Sequence, residues 1–200
     1  MSKLTQDFYQ QEDILTISQE LLGKVLCTNF HGELTNGIIV ETEAYAGITD
    51  KASHAYGGKR TKRTEIMYAP GGCAYIYLCY GIHHLFNVIT GKENIPHAVL
   101  IRAIEPQDGL KIMLQRRNKK KADHTLTAGP GSLSQALDIT IENSGVSLTG
   151  NLIWLEDQNI YYKNHDIIAR PRVGVQYAGN DAKNPWRFQI ENSLWVSPAS

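Results

Sequence analysis

The sequence predicts an α+β fold: one domain over residues 1–200, with a mostly antiparallel mixed β-sheet core surrounded by helices and a protruding β-hairpin. Three observations predict it. Runs rich in Val, Ile, Tyr and Phe follow one another with only short turns between them, as in an antiparallel sheet. Segments with helical spacing and capping residues are few and stand between those runs. No internal repeat, low-complexity tract or linker divides the chain.

The first element is a helix within "TISQELLGKVLCTNF", with Ser18 as N-cap, Leu21 and Leu22 on its apolar side and Gly23 at its end. Strands follow at 24–30, 36–45, 73–80, 86–90 and 97–104. In "EPQDGLKIMLQRRN", Leu110, Met113 and Leu114 recur at helical spacing, and the last turn is basic, as the macrodipole favours. "GPGSLSQALDI" opens another helix, with Ser132 as its N-cap after a pair of turn residues. The apolar runs 152–155, 172–178 and 186–190 complete the strands.

Composition narrows the class. Of 200 residues, 42% are hydrophobic and 20% charged, the balance of an ordinary globular domain with a sizeable core. No run approaches the roughly 18 apolar residues of a membrane span, and "MSKLTQDFYQQEDILTIS" has no apolar signal core. These features predict a cytoplasmic protein without a membrane partner. Cys27, Cys73 and Cys79 lie in apolar runs and are expected to be reduced core residues. The net charge is zero, but "KRTKR" (59–63) and "RRNKKK" (116–121) concentrate basic residues.

Two stretches carry chemistry. In 37–45, period-two alternation puts Ile38, Val40, Thr42 and Ala44 on one face, and Ile39, Glu41, Glu43 and Tyr45 on the other. Two carboxylates on one face of an apolar strand meet either solvent or a reactive pocket, since burying an unpaired charge is costly. In "GGCAYIYLCYGIHHLFNVIT", Tyr75, Tyr77 and Cys79 share a face, and "YGIHH" reads as a hairpin turn centred on Gly81. Apolar wedges on such turns unstack base steps, and flat aromatic faces nearby can receive an extruded base. A metal site is disfavoured: His83 and His84 are adjacent, no HExxH occurs, and Cys73 with Cys79 lacks CxxC spacing. Neither a GxSxG elbow nor a Walker loop is present. A small-molecule nucleoside hydrolase or a non-catalytic nucleic-acid-binding module would use the same carboxylate and aromatics, the first without a wedge and the second without base release.

"VETEAYAGITDKASHAYGG", the "YIYLCYG" ladder with the following Asn87, "VLIRAIEP", and "RVGV", "AG" and "PWRF" near the end together resemble the alkyladenine (3-methyladenine) DNA glycosylase family. The resemblance runs from about Gly37 to Trp195. It implies a monofunctional, cofactor-free enzyme, acting as a monomer on double-stranded DNA in base excision repair. Such an enzyme flips out an alkylated or deaminated purine (3-methyladenine, 7-methylguanine, ethenoadenine or hypoxanthine) and hydrolyses its N-glycosidic bond. Residue by residue, it implies Glu43 as general base, with Glu41 as the structural alternative, and Arg102 beside the catalytic water. It implies Tyr45, His54 and Tyr77 around the base, Asn87 at the purine's minor-groove edge, and Tyr80, with Ile82 beside it, wedged into the duplex. No lysine stands in the matched catalytic position, so no lyase activity is expected. Of the basic runs, 59–63 directly follows the pocket strand and His54, so Lys59, Arg60, Lys62 and Arg63 are the expected contacts to the DNA backbone.

Overall fold

The computed structural model describes residues 2–198. Among these residues one sheet is built from β1 (Ser2–Lys3), β2 (Val25–Phe30), β3 (Glu33–Tyr45), β4 (Ala74–Cys79), β5 (His83–Thr90), β6 (His97–Pro106), β7 (Ile153–Asp157), β8 (Ile167–Arg170) and β9 (Arg187–Ile190). Its main path is β1-β7-β2-β3-β6-β5-β4, and β9 pairs with both β3 and β8. Every strand pair is antiparallel, a stricter pattern than the mostly antiparallel one read from the sequence. Short helices α1 (Gln6–Tyr9), α2 (Ile14–Glu20), α3 (Leu110–Arg116) and α4 (Pro130–Ala136) accompany the sheet, giving the expected α+β architecture.

β3 is the spine. It pairs with β6 along one edge; on the other it meets β2 at its start and β9 at its end. Its core face packs with Ile17 and Leu21 from the α2 region and with Leu133, Ala136 and Leu137 from the α4 region. Each of these fully buried Leu and Ile side chains contributes about 1.5–3 kcal/mol of transfer free energy.

The β3–β6 pairing skips Val40 on one strand and Arg102 on the other, so two bulges follow each other closely. An extra residue shifts the alternation by one. Ile39 therefore packs into the main core alongside Val40 and Ala44 instead of sharing a face with the carboxylates, as strict alternation predicts. Beyond the bulge, Glu41, Glu43 and Tyr45 keep their common face.

Several boundaries differ from the sequence reading. Helix α2 starts earlier, capped by Asp13, whose carboxylate accepts from the Leu15 and Thr16 amides. Ser18 lies inside that helix, and its hydroxyl bonds back to the Ile14 carbonyl. α4 is entered through Gly129 with Pro130 in its first turn, and Ser132 is interior. The run 172–178 is not a strand: Gly174 adopts φ +75°, and a 3₁₀ turn covers Gln176–Lys183. The turn between β4 and β5 is tighter than "YGIHH", because His83 and His84 already belong to β5. Only Cys27 is a core cysteine; Cys73, beside the Ser147 bridge, and Cys79, at the end of β4, are half-buried.

Candidate active site

A cavity of about 580 Å³ meets β3 at Tyr45, while Glu41 and Glu43 on the same face lie buried behind its lining. Tyr45 from β3, His54 from the following loop, Tyr77 from β4, Asn87 from β5 and Arg102 from β6 all line it. Five of the residues singled out in the sequence thus converge from separate elements, with Glu43 buried directly beneath them.

Glu43 has no solvent exposure. Its Oε1 accepts the Val173 backbone N–H at 2.8 Å and lies 3.2 Å from Arg102 Nη1. Its Oε2 accepts the Tyr45 hydroxyl at 2.8 Å. Burial, and then the neighbouring Glu43, pushes the Tyr45 hydroxyl well above its ordinary range, so this proton stays on the tyrosine. Burial works against the charge on Arg102, but Glu43 and Glu41 outweigh it and hold the guanidinium protonated.

Glu41, also fully buried, is differently engaged. Its Oε1 accepts from Arg102 Nε at 2.9 Å, Arg187 Nη1 at 3.1 Å and the Ser197 hydroxyl at 2.9 Å, while Oε2 accepts the Ser197 N–H at 2.6 Å. A buried carboxylate is tolerable when its lone pairs are filled in this way. The bulge at Arg102 lets one guanidinium reach both acids, a common use of bulges beside reactive sites.

The rings line the opening. His54 Nδ1 is 2.8 Å from the Tyr75 hydroxyl, and its ring meets Tyr77 edge-on at 4.7 Å between centroids. Burial first, then the nearby Arg63 and Lys59 charges, pushes the His54 pKa down to about 4, so the imidazole is neutral at physiological pH. Asn87 is buried, and its Nδ2 donates to the Tyr75 and Leu85 carbonyls, which fixes the amide plane on the cavity wall.

The β4–β5 loop is Tyr80, Gly81 and Ile82; Tyr80 and Gly81 have φ of +52° and +73°, and the Ile82 N–H closes the turn on the Cys79 carbonyl at 3.2 Å. Tyr80 is 91% exposed and Ile82 71%. The sequence-predicted basic residues at 59–63 are all exposed, but they behave differently. Arg60 is clamped by Glu65 at 2.7 and 2.9 Å and lies over Tyr68. Lys59 and Lys62 make no ion pair among the described residues, and Arg63 turns to the cavity mouth. The second basic run is largely internal bracing: Arg116 bonds Glu33 and Thr35, Arg117 bonds Ser132 and Gln135, and Lys119 pairs with Asp123.

Sequence reasoning missed the Val173 amide, Arg187, Ser197 and the buried Arg172–Asp50 pair, whose Nη2–Oδ1 distance is 2.9 Å. The only signal was the resemblance, whose stretches with "ITD", "RVGV" and "PWRF" hold Asp50, Arg172, Val173 and Arg187; Ser197 lies beyond it, and nothing local assigned any of them a role. Among the described residues no three His, Cys, Asp or Glu side chains gather as a metal-binding group, and His84 Nδ1 instead accepts the Ile141 amide.

A charged carboxylate–arginine pair under an aromatic slot defines a site that can hold a flat ring and act on a bond beside it. Comparison with known proteins says which kind. The family model described as methylpurine-DNA glycosylase matches residues 7–194, and the chain belongs to that family. It is 50% identical to a protein of Chlamydia felis named "Putative 3-methyladenine DNA glycosylase", over 94% of this chain and 95% of the relative. Proteins of the same name from Desulfitobacterium hafniense and Clostridium acetobutylicum are 43% and 42% identical, each over 98% of this chain and over 99% and 97% of the relative.

Proposed function

We propose that this chain is a monofunctional DNA glycosylase that flips alkylated or deaminated purines out of duplex DNA and hydrolyses their N-glycosidic bond. The candidate substrates are 3-methyladenine, 7-methylguanine, ethenoadenine and hypoxanthine. The observation that carries this reading is Glu43, wholly buried yet bonded by the Val173 amide and the Tyr45 hydroxyl beside Arg102 under the aromatic slot.

Bond breaking develops positive charge at the sugar, as in glycoside hydrolysis. Glu43 stabilises that charge and takes the proton of the attacking water, the new C–O bond forms at the sugar carbon, and the bonding pair leaves with the purine nitrogen. Arg102 orients the carboxylate and the water. An N-alkylated purine is already cationic: it stacks well between Tyr45, Tyr77 and His54, and it departs neutral. A neutral lesion needs a proton from another source. Asn87 reads the purine edge, and Tyr80, flanked by Ile82, fills the vacated place in the stack. At least one of Lys59, Arg60, Lys62 and Arg63 reaches the backbone of the bound duplex. No lysine lines the cavity among the described residues, which favours hydrolysis over Schiff-base strand cleavage. The enzyme so proposed is a monomer that acts without metal or cofactor.

The test is incubation with duplexes carrying each of the four lesions, with free base and abasic sites measured separately. Release of base with strands left intact is the expected result. Tight binding without base release, or equal action on free nucleosides, would sink the proposal.

A further inference from the structure

Arg63 is exposed and stands in a basic run, yet its side chain is turned into the cavity mouth. Its guanidinium carbon lies 5.1 Å from the centroid of the Tyr77 ring. Nη2 is 3.2 and 3.4 Å from the two nitrogens of His54, and Nε donates to the Tyr75 hydroxyl at 3.3 Å. A planar cation thus rests on an electron-rich ring and is hydrogen-bonded at its edge. That is also a chemical description of an alkylated purine in the same slot. The neutral state of His54 lets the two groups approach without repulsion.

Arg60, three residues earlier, marks the contrast. It is held by two charge-assisted bonds to Glu65, whereas Arg63 has no carboxylate partner among the described residues. Its bonds to His54 and Tyr75 are long and go to neutral groups, so Arg63 is the arginine of the pair that moves at small cost.

We propose that Arg63 is a stand-in for the base: in the free protein it caps the slot by stacking on Tyr77, and an entering base expels it onto a phosphate beside the flipped nucleotide. The proposal rests on the base-slot reading given above. A planar cation leaves as a flat base arrives, and the departing guanidinium gains an anionic partner that only a nucleic-acid strand supplies. A free purine must displace the same cap with no phosphate to receive it. The pocket therefore disfavours free bases and admits those attached to DNA, a specificity set by a residue that need not touch the reacting bond.

The test uses free ethenoadenine, followed by its fluorescence, and a duplex containing ethenoadenine, each titrated into wild type, Arg63→Ala and Arg63→Lys. In Arg63→Ala the free base should bind roughly tenfold more tightly, because the competing cation is gone. The duplex should bind more weakly, with its salt slope flattened by about 0.9, the value of one neutralised phosphate. Arg63→Lys keeps the charge and loses the planar stack, so the free base gains affinity while the salt slope stays near that of wild type. A parallel loss of both affinities in Arg63→Ala would make Arg63 a plain wall of the base slot and overturn the proposal; so would no change in either. Excision of ethenoadenine by wild type, measured in the same duplex, tests the glycosylase reading separately from the cap.

Discussion

Glu41 and Glu43 stand two residues apart on β3, and their partners divide the labour between them. The oxygens of Glu41 are saturated by Arg102, Arg187 and Ser197, which makes it a clamp on the arginines. Glu43 spends one oxygen on the hydroxyl of Tyr45, a cavity-lining ring whose contact a base or sugar can rearrange. Glu43→Gln should therefore lower the single-turnover excision rate by roughly 10²-fold or more while binding to damaged duplex survives. Normal turnover in that variant, with Glu41→Gln inactive, would transfer the role to Glu41. His54 gives a pH dependence. Its folded pKa of about 4 lies below the ordinary 6.5, so in that window the unfolded chain binds more protons and stability falls as pH drops. Denaturant unfolding at pH 7 and pH 4.5 should show wild type losing about 2 kcal/mol more than His54→Gln. Equal losses in the two proteins would mean that His54 is not held neutral by the fold.

The hairpin turn is the element where stability and function part company. Tyr80 holds φ +52°, a left-handed conformation that costs a residue with a Cβ on the order of 1 kcal/mol. Tyr80→Gly should leave the melting temperature unchanged or raise it, yet reduce excision on duplex far more than on single strands, where no stack needs filling. Equal losses on both substrates would remove the wedge role. Most elements of this kind are legible from period-two alternation, and the aromatic and carboxylate positions of the site come with them. What alternation cannot reveal is its own interruption: the bulges at Val40 and Arg102 leave no local mark, so strict alternation puts Ile39 on the wrong face. Ser18 is not the cap because Asp13, an equally good capping type, lies five residues earlier. The segment 172–178 has the pattern of a strand because its apolar residues alternate with polar ones. Its bonding partners are Asp50 and Glu43, some 120–130 residues away, and no local pattern records them.

For the whole molecule, net charge is zero, so attraction to a polyanion must come from local surface and not from the overall field. Among the described residues Lys59 and Lys62, like Arg63, are exposed cations of the first basic run without an ion pair, while Arg116 and Arg117 are engaged in bracing loops. Neutralising Lys59 and Lys62 together should flatten the dependence of log affinity on log salt by about 0.9 for each phosphate left without its cation, equally for damaged and undamaged duplex. An unchanged slope there, with a flattened one after neutralising Lys120 and Lys121, would move the backbone contact to the other run. The placement of β3 has a consequence for motion as well. A strand bonded along both edges opens only when the domain opens, so its amides belong with the slowest to exchange with solvent deuterium. The Val173 amide lies on a loop outside the ladder, and its protection rests on its one bond to the buried Glu43. The acid is bolted to the last part of the molecule to melt, together with Tyr45 on its own strand and Arg102 on β6, and only the Val173 amide reaches it from a loop, so adaptation to a new lesion is free to rewrite the rim without loosening the floor.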